Sequence, residues 1–253
     1  MRNIILGFLA GFTVSACGGG GGPVEVSYNT LRVFSDGAGV AVGTTGDVKE
    51  LTLIPEVSAV VTEINNLGDA SEYTVALSSF PIIGSTANST IRQGAITSDG
   101  ITQNVLIYEI DGEQGFGQIT MPEYGIKYYS AQSSGDPVNP TGTFTYAGDQ
   151  LVEAWQSGSF SEIGTVTITA NFDNSSISYS GQTASSTLNG TGVLEVDEAR
   201  FTDVDATLVV SGQTYTTTIH GLVNGTDASS TTGVFHTNDS TPDYVGAFVA
   251  KKQ

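Results

Sequence analysis

Apolar positions in this chain come in short stretches. From residue 24 onward these alternate with Ser, Thr and Gly and are bounded by Gly, Asp and Asn, the pattern of half-buried strands closed by turns. In the first part the stretches are Leu31–Phe34, Val40–Val42 and Leu51–Ile54. One interval has a different period. Val57, Val60, Val61 and Ile64 fall at i, i+3, i+4 and i+7, after Pro55-Glu56 and before Asn66-Leu67-Gly68. Proline and an acid in a first turn and a glycine after the last apolar residue predict one short helix here. Two hairpins follow: Asp99-Gly100 separates Thr90–Ile96 from Ile101–Ile107, and Asp111-Gly112 joins Val105–Ile110 to Gly117–Met121. Asp-Gly suits a two-residue turn because both positions tolerate positive φ.

The pattern breaks at Ser133-Ser134-Gly135-Asp136-Pro137-Val138-Asn139-Pro140, whose prolines and small polar residues predict a linker. This divides the body into a mixed, mainly β domain over 24–135 and a second domain over 136–253. The second reads as strands Thr143–Tyr146, Thr165–Phe172, Ser175–Ser180, Gly192–Val196, Phe201–Val210, Thr214–Leu222, Thr231–His236 and Tyr244–Ala250. Tight turns are predicted at Asp173-Asn174, Ser211-Gly212 and Asn224-Gly225. Eight antiparallel strands at this spacing suit a closed barrel, since closure removes free edges; a β-sandwich is the alternative that the pattern leaves open. The fold class is therefore mainly β: a C-terminal eight-stranded antiparallel β-barrel preceded by a smaller mixed, mainly β domain.

The first residues are of another kind. Met1-Arg2-Asn3 precedes a run from Ile4 to Val14 that is apolar apart from Gly7, Gly11 and Thr13. That run is too short to span a bilayer as a helix, which takes roughly 20 residues, and it matches an export signal. Val14-Ser15-Ala16-Cys17 resembles the lipobox of bacterial lipoproteins. The resemblance implies a signal peptide over 1–16, acylation of Cys17, and a tether over 17–23 that includes the glycine run Gly18–Gly22. It also implies the outer membrane, because Gly18 is not aspartate. Cys17 is the chain's one cysteine, so the mature body has no disulfide, cysteine metal site or thiol nucleophile.

Charge narrows the partners. Eight Lys and Arg stand against 26 Asp and Glu, a net charge of −18. Such a field repels phosphate backbones, and no basic cluster exceeds Lys251-Lys252, so nucleic acid is not an expected partner. The field favours cations and basic protein surfaces, and it also serves solubility.

Three stretches of the second domain resemble the C-terminal barrel of transferrin-binding-protein-like surface lipoproteins. They are Thr141–Tyr146, then Ile219–Ala228 followed by Gly233-Val234-Phe235, and the closing run Val245-Gly246-Ala247-Phe248-Val249-Ala250-Lys251-Lys252. Their order and spacing agree with the family over about 110 residues. The resemblance implies a barrel preceded by a handle-like domain over 24–135, and it implies capture of a ligand or protein. Transferrin-binding members are longer, with two lobes, and this chain has room for one. The implied partners are an iron-bearing ligand, haem, or a host or environmental protein, together with an outer-membrane transporter. No binding residue carries over.

No nucleophile elbow, zinc-protease helix or phosphate-cradling loop occurs, so catalysis and a resident cofactor are not expected. His220 and His236 fall in predicted barrel strands. His220 alternates in phase with Thr216 and Thr218, which puts it on a polar face; solvent exposure and ligation of haem or metal are the two readings. Asp197, Glu198, Asp203 and Asp205 bracket a turn at Arg200 and offer oxygens to a hard cation, or form a solvated hairpin. Trp155 is placed in a long connection Gly148–Ser161, as a cap on the barrel mouth. Tyr124, Tyr128 and Tyr129 suit either an aromatic contact surface or interdomain packing. Contacts with a partner are expected in the connections Gly148–Ser161, Gln182–Thr187 and His236–Asp243. The expected function is capture by a membrane-anchored lipoprotein on the cell surface or the periplasmic face. A structural or adhesive surface lipoprotein is the alternative. Replacing Cys17 with Ala is expected to leave the body folded and to shift the protein into the aqueous phase on detergent partitioning; retention in the detergent phase refutes the anchor.

Overall fold

A computed structural model of the chain describes residues 31–35, 40–44, 48–54, 58–64, 70–98, 101–112, 114–121, 125–130, 140–155, 160–225, 227–237 and 242–253. The first part contains β1 (Leu31–Ser35), β2 (Val40–Thr44), β3 (Val48–Ile54), β4 (Ser58–Ile64), β5 (Ala70–Ala76), β6 (Ile82–Ser85), β7 (Thr90–Ser98), β8 (Ile101–Ile110), β9 (Gln114–Met121) and β10 (Gly125–Ser130). The second contains β11 (Thr143–Ala154), β12 (Ser161–Asn171), β13 (Ser176–Gln182), β14 (Ser186–Val193), β15 (Arg200–Val210), β16 (Gln213–Asn224), β17 (Ser230–Thr237) and β18 (Tyr244–Lys252).

The last eight strands close into an antiparallel barrel in sequence order, β11 pairing with β18 from Tyr146↔Lys252 to Ala154↔Tyr244. Inward positions alternate as the period of two requires: Ile177 and Tyr179 on β13, Leu208 and Val210 on β15. The lumen is filled by side chains. The Phe248 ring lies 5.1 Å from Tyr179, edge to face, and 6.3 Å from Phe201. Glycines make room for these rings. Gly233 pairs across the ladder with Phe248, and Gly246 with Phe235. A Cβ at either glycine would overlap the partner's ring and nearby backbone. A phenylalanine laid over a cross-strand glycine thus occurs twice, in opposite senses, on one strand pair. This is what the Gly-Val-Phe and Gly-Ala-Phe runs encode. Ser211 and Gly212 both take positive φ and join Val210 to Gln213 as a two-residue turn.

The first part forms two antiparallel sheets. A seven-stranded sheet runs β1-β2-β10-β9-β8-β7-β6, and a three-stranded meander runs β3-β4-β5. One face of the larger sheet buries Ala41, Ile96, Val105, Ile107 and Ile119 in a cluster with Leu51, Leu77 and Phe80. Its other face carries Val42, Tyr108, Ile110 and Phe116 against the barrel wall. The three layers are meander, large sheet and barrel.

Three expectations need correction. The helix beginning at Pro55-Glu56 is not formed over Ser58–Ile64, which is β4, paired on both sides with β3 and β5; residues 55–57 and 65–69 lie outside the described residues. Val60, Val61, Thr62 and Ile64 are β-branched and stiff at χ1, so a ladder on each flank outweighs a helical period only two turns long. The connection after Asp111-Gly112 holds three residues, since Ile110 pairs with Gln114. Asp111 and Gly112 do take positive φ. Several barrel strands are longer than expected; β11 runs eight residues past Tyr146 to Ala154. The linker expected at Ser133–Pro140 falls almost wholly outside the described residues, as do residues 99–100 between the paired Ser98 and Ile101.

Phe248→Ala is expected to destabilise the barrel by about 3–5 kcal/mol, because it removes the ring shared by Tyr179 and Phe201 and leaves a cavity. Urea unfolding followed by circular dichroism measures it; a loss under about 1 kcal/mol would show that the lumen does not depend on this ring.

Candidate functional site

The densest buried chemistry lies where the large sheet meets the barrel. Barrel strands normally turn polar residues outward, yet β17 is buried on both faces along its length and β18 nearly so. Val234, Val245, Ala247, Val249, Leu151 and Leu222 point out of the barrel and join Val42, Tyr108, Ile110 and Phe116 of the sheet in one apolar cluster. Tyr108 and Phe116 stack at 4.7 Å. The sequence signal was available: Val245–Ala250 has no polar residue to alternate, as happens in strands covered on both sides.

Polar locks border this cluster. Asp149 of β11 is 2% exposed and points outward. The turn between β6 and β7 reaches over it. The Thr86 and Ser89 hydroxyls both donate to Oδ2, and Asn88 Nδ2 donates to Oδ1 at 2.9 Å and to the Gly148 carbonyl at 3.2 Å. Glu153, two residues on, accepts from Gln118 Nε2 of β9 at 2.6 Å and from the Ser161 hydroxyl at 2.5 Å. Ser230 donates to Gln114 Oε1, and the Lys251 ammonium meets Asp111 at the rim. The Tyr108 hydroxyl, buried beside Glu153 and Asp149, is pushed up to about 12, first by desolvation and then by those negative charges.

His220 and His236 belong to the same seam. They project outward from β16 and β17, as alternation predicts, but they are 5% and 4% exposed, not solvent-facing. Strand β2 lies against both barrel strands. Their Nε2 atoms are 3.4 Å apart. The ring centroids are 5.6 Å apart and the rings lie within 15° of parallel. The centroid separation exceeds the nitrogen separation by about the width of an imidazole, so the two Nε2 atoms point at each other. The Asp203 backbone N–H donates to His220 Nδ1 at 3.3 Å. The hydrogen-bond network therefore puts the His220 proton on Nε2, which donates to His236. A metal-bound imidazole donates through its second nitrogen, whereas His220 Nδ1 accepts, so His220 in this arrangement does not fit a metal or haem ligand. Burial, and then His236, push the His220 imidazole down to about 3.

The other candidates separate. Arg200 pairs with Glu195 at 2.9 Å and Glu198 at 2.7 Å, and the Asp203 carboxylate is largely exposed. Among the described residues no group of three or more His, Cys, Asp or Glu could hold a metal ion, so Asp197, Glu198, Asp203 and Asp205 are not brought together as ligands. Trp155 directly follows β11 and is buried in the seam cluster. Tyr128 and Tyr129 lie in β10 opposite Val42 and Ala41; Tyr124 and Cys17 lie outside the described residues.

The three connections expected to hold a partner are tied to the strands in their described parts; residues 156–159 and 238–241 lie outside the described residues. Gly148–Ser161 is largely strand, with Glu153 already paired to Ser161. In Gln182–Thr187 the ends pair directly, and Ser185 and Thr183 donate to the Glu162 carboxylate, holding it below its ordinary pKa. Before β18, the Thr237 hydroxyl accepts from the Asp243 and Tyr244 N–H groups at 2.9 Å each. On the outer barrel wall, a shallow groove of about 430 Å³ is lined by hydroxyl and amide side chains including Thr143, Thr169, Asn171 and Ser178. Among the described residues no helix is long and apolar enough to cross a membrane, which says nothing of strands.

Comparison with solved structures finds similar chains. The chain is similar to transferrin-binding protein B. It shares 13% identity with the intact Ap-TbpB structure of N and C lobes, with 89% of this chain and 62% of that one covered at a TM-score of 0.48. For the isotype 1 protein of serogroup B Neisseria meningitidis the values are 10%, 89%, 58% and 0.48. For a crystal structure described as a surface lipoprotein they are 14%, 82%, 98% and 0.39. The chain thus spans about three-fifths of the length of the first two. Neither a family model nor a curated protein matches the sequence.

Asp149→Ala removes the acceptor shared by Thr86, Asn88 and Ser89, the last of them buried. It is expected to destabilise the protein by about 2–3 kcal/mol and to raise hydrogen exchange at residues 86–89, whereas Asp149→Asn, which keeps an acceptor, should lose less. Exchange in that turn unchanged by Asp149→Ala would mean that the carboxylate does not hold it.

Proposed function

We propose that this chain is an outer-membrane lipoprotein, acylated at Cys17, that captures a protein at its outer surface without catalysis. The observation that carries this reading is the filled lumen. Phe248, Tyr179, Phe201 and Phe235 occupy the interior that a ligand-binding barrel of this size keeps open. With the interior closed and the histidines turned toward each other, capture falls to exposed surface, which suits a macromolecule better than haem or a free metal ion. The excess of 26 acidic over 8 basic residues favours a partner with a basic face. The export signal, the lipobox-like Val14–Cys17 and the poly-glycine tether support placement at a lipid surface, with the body held off by 17–23. An iron-bearing host protein and an outer-membrane transporter are the partners that the family resemblance suggests.

Two measurements test this. In the first, the purified protein is titrated with haem while absorbance is followed; no saturable Soret shift is expected, and a stoichiometric shift would overturn surface capture in favour of a haem carrier. In the second, immobilised protein is exposed to iron-loaded transferrin over a range of salt. The association rate is expected to fall as salt rises, since steering between opposite charges is screened over about 8 Å at physiological ionic strength. An association rate indifferent to salt would remove the argument from charge.

A further inference from the structure

The His220–His236 pair has features that packing alone does not require. Two imidazoles occupy outward positions on adjacent strands, flanked on those strands by Leu222 and Val234 of the seam cluster, and β2 of the large sheet lies over both strands. They are joined by a single N–H···N contact, which exists only while the receiving Nε2 carries no proton. On its other side His220 accepts the backbone N–H of Asp203, a residue at positive φ inside the irregularity between Phe201 and Val204. A proton added to His220 goes to Nδ1 and sets a donor against that donor. A proton added to His236 at Nε2 does the same against His220. Either way a hydrogen bond is lost and a charge enters an apolar seam.

We propose that this pair is a proton-sensitive latch: on acidification it ceases to bridge β16 and β17 in their neutral form, and the large sheet loosens from the barrel wall.

The groups around the pair bear on the sign. From β15 come Asp203, whose Oδ1 is 3.9 Å from His220 Nδ1, Asp205 opposite Thr218, and Arg200, itself paired to Glu195 and Glu198. Asp243 stands at the start of β18. Strand β10, which also lies against β17, contributes Lys127, Tyr128 and Tyr129 in sequence, and β2 has no titratable residue. The sheet strands nearest the pair therefore bring no carboxylate to balance an imidazolium. Asp203, beside His220, is on the barrel and mostly in solvent, so a charged His220 gains more from the open form than from the closed one. His220 titrates near its ordinary value of about 6.5 once open and near about 3 while closed. The folded value is the depressed one, so the seam is fully closed above about pH 6.5 and weakens progressively as pH falls through the window between the two.

Trp155 is the chain's one tryptophan and is 6% exposed within this seam, so it reports opening directly. The full chain in detergent is titrated from about pH 8 to about pH 4 while Trp155 emission is followed. A reversible red shift is expected with circular dichroism of the strands retained. His220→Gln, whose amide can accept from Asp203 and donate to His236 without titrating, is expected to move the midpoint down by about one pH unit or more, and so is His236→Gln. Midpoints equal to that of the unaltered protein would overturn the proposal. Should either variant fail to fold, the imidazole and indole nitrogen resonances of the unaltered protein decide. A common midpoint supports the latch, and imidazoles that titrate while the indole stays unchanged overturn it.

Discussion

One wall of the barrel is apolar on its outside, and that wall must be covered. Val234, Val245, Ala247 and Val249 face away from a lumen already filled by Phe235 and Phe248. Strands buried on both faces cannot stand in water. At roughly 25 cal/mol per Å² of apolar surface removed from solvent, covering them is a main source of cohesion between the two halves of the chain. The large sheet is the cover. Its own two-sided burial, barrel on one face and meander on the other, follows from the same requirement.

An apolar contact alone fixes neither register nor orientation, and the polar groups at its border add both. Asp149 and Glu153 are carboxylates in a nearly dry place, where unpaired charge costs several kcal/mol. They are met by hydroxyls and amides, from Thr86, Ser89, Asn88, Gln118 and Ser161, in short charge-assisted hydrogen bonds. A chain with only eight basic residues has few cations to bury, and its Ser, Thr, Asn and Gln take the role that Arg plays elsewhere. Ser161 is the barrel neighbour of Glu153, but Thr86, Ser89, Asn88 and Gln118 come from a turn and a strand of the first part, so their bonds form only when the sheet is seated in one position.

The sequence predicted most of the barrel strands, the Ser211-Gly212 turn and the strand-rich first part, because each of these depends on neighbours two to ten residues away; the strand expected at Gly192–Val196 instead runs Ser186–Val193. The helix at Pro55-Glu56 failed because pairing with β3 and β5 supplied ladders that no local pattern records. His220 is the instructive case. Alternation with Thr216 and Thr218 placed it on the outer face correctly, but that face is solvent only at Thr216 and Thr218's end of the strand; further along, β2 lies over it. Partner contacts were expected in the connections because strand interiors are taken up by packing, while at Gln182–Thr187 the structure uses polar groups internally, Ser185 and Thr183 donating to Glu162.

What the sequence determined by itself was periodic and local: the length-two alternation, the turn chemistry, the glycine and phenylalanine spacing that fills the lumen, and the charge. What only the tertiary structure decided was which faces see water. A strand exposes two faces, its sequence marks them as different, and the element that covers one of them comes from far along the chain, so burial at Asp149, Trp155 and the histidine pair is a property of the assembled layers and not of any segment.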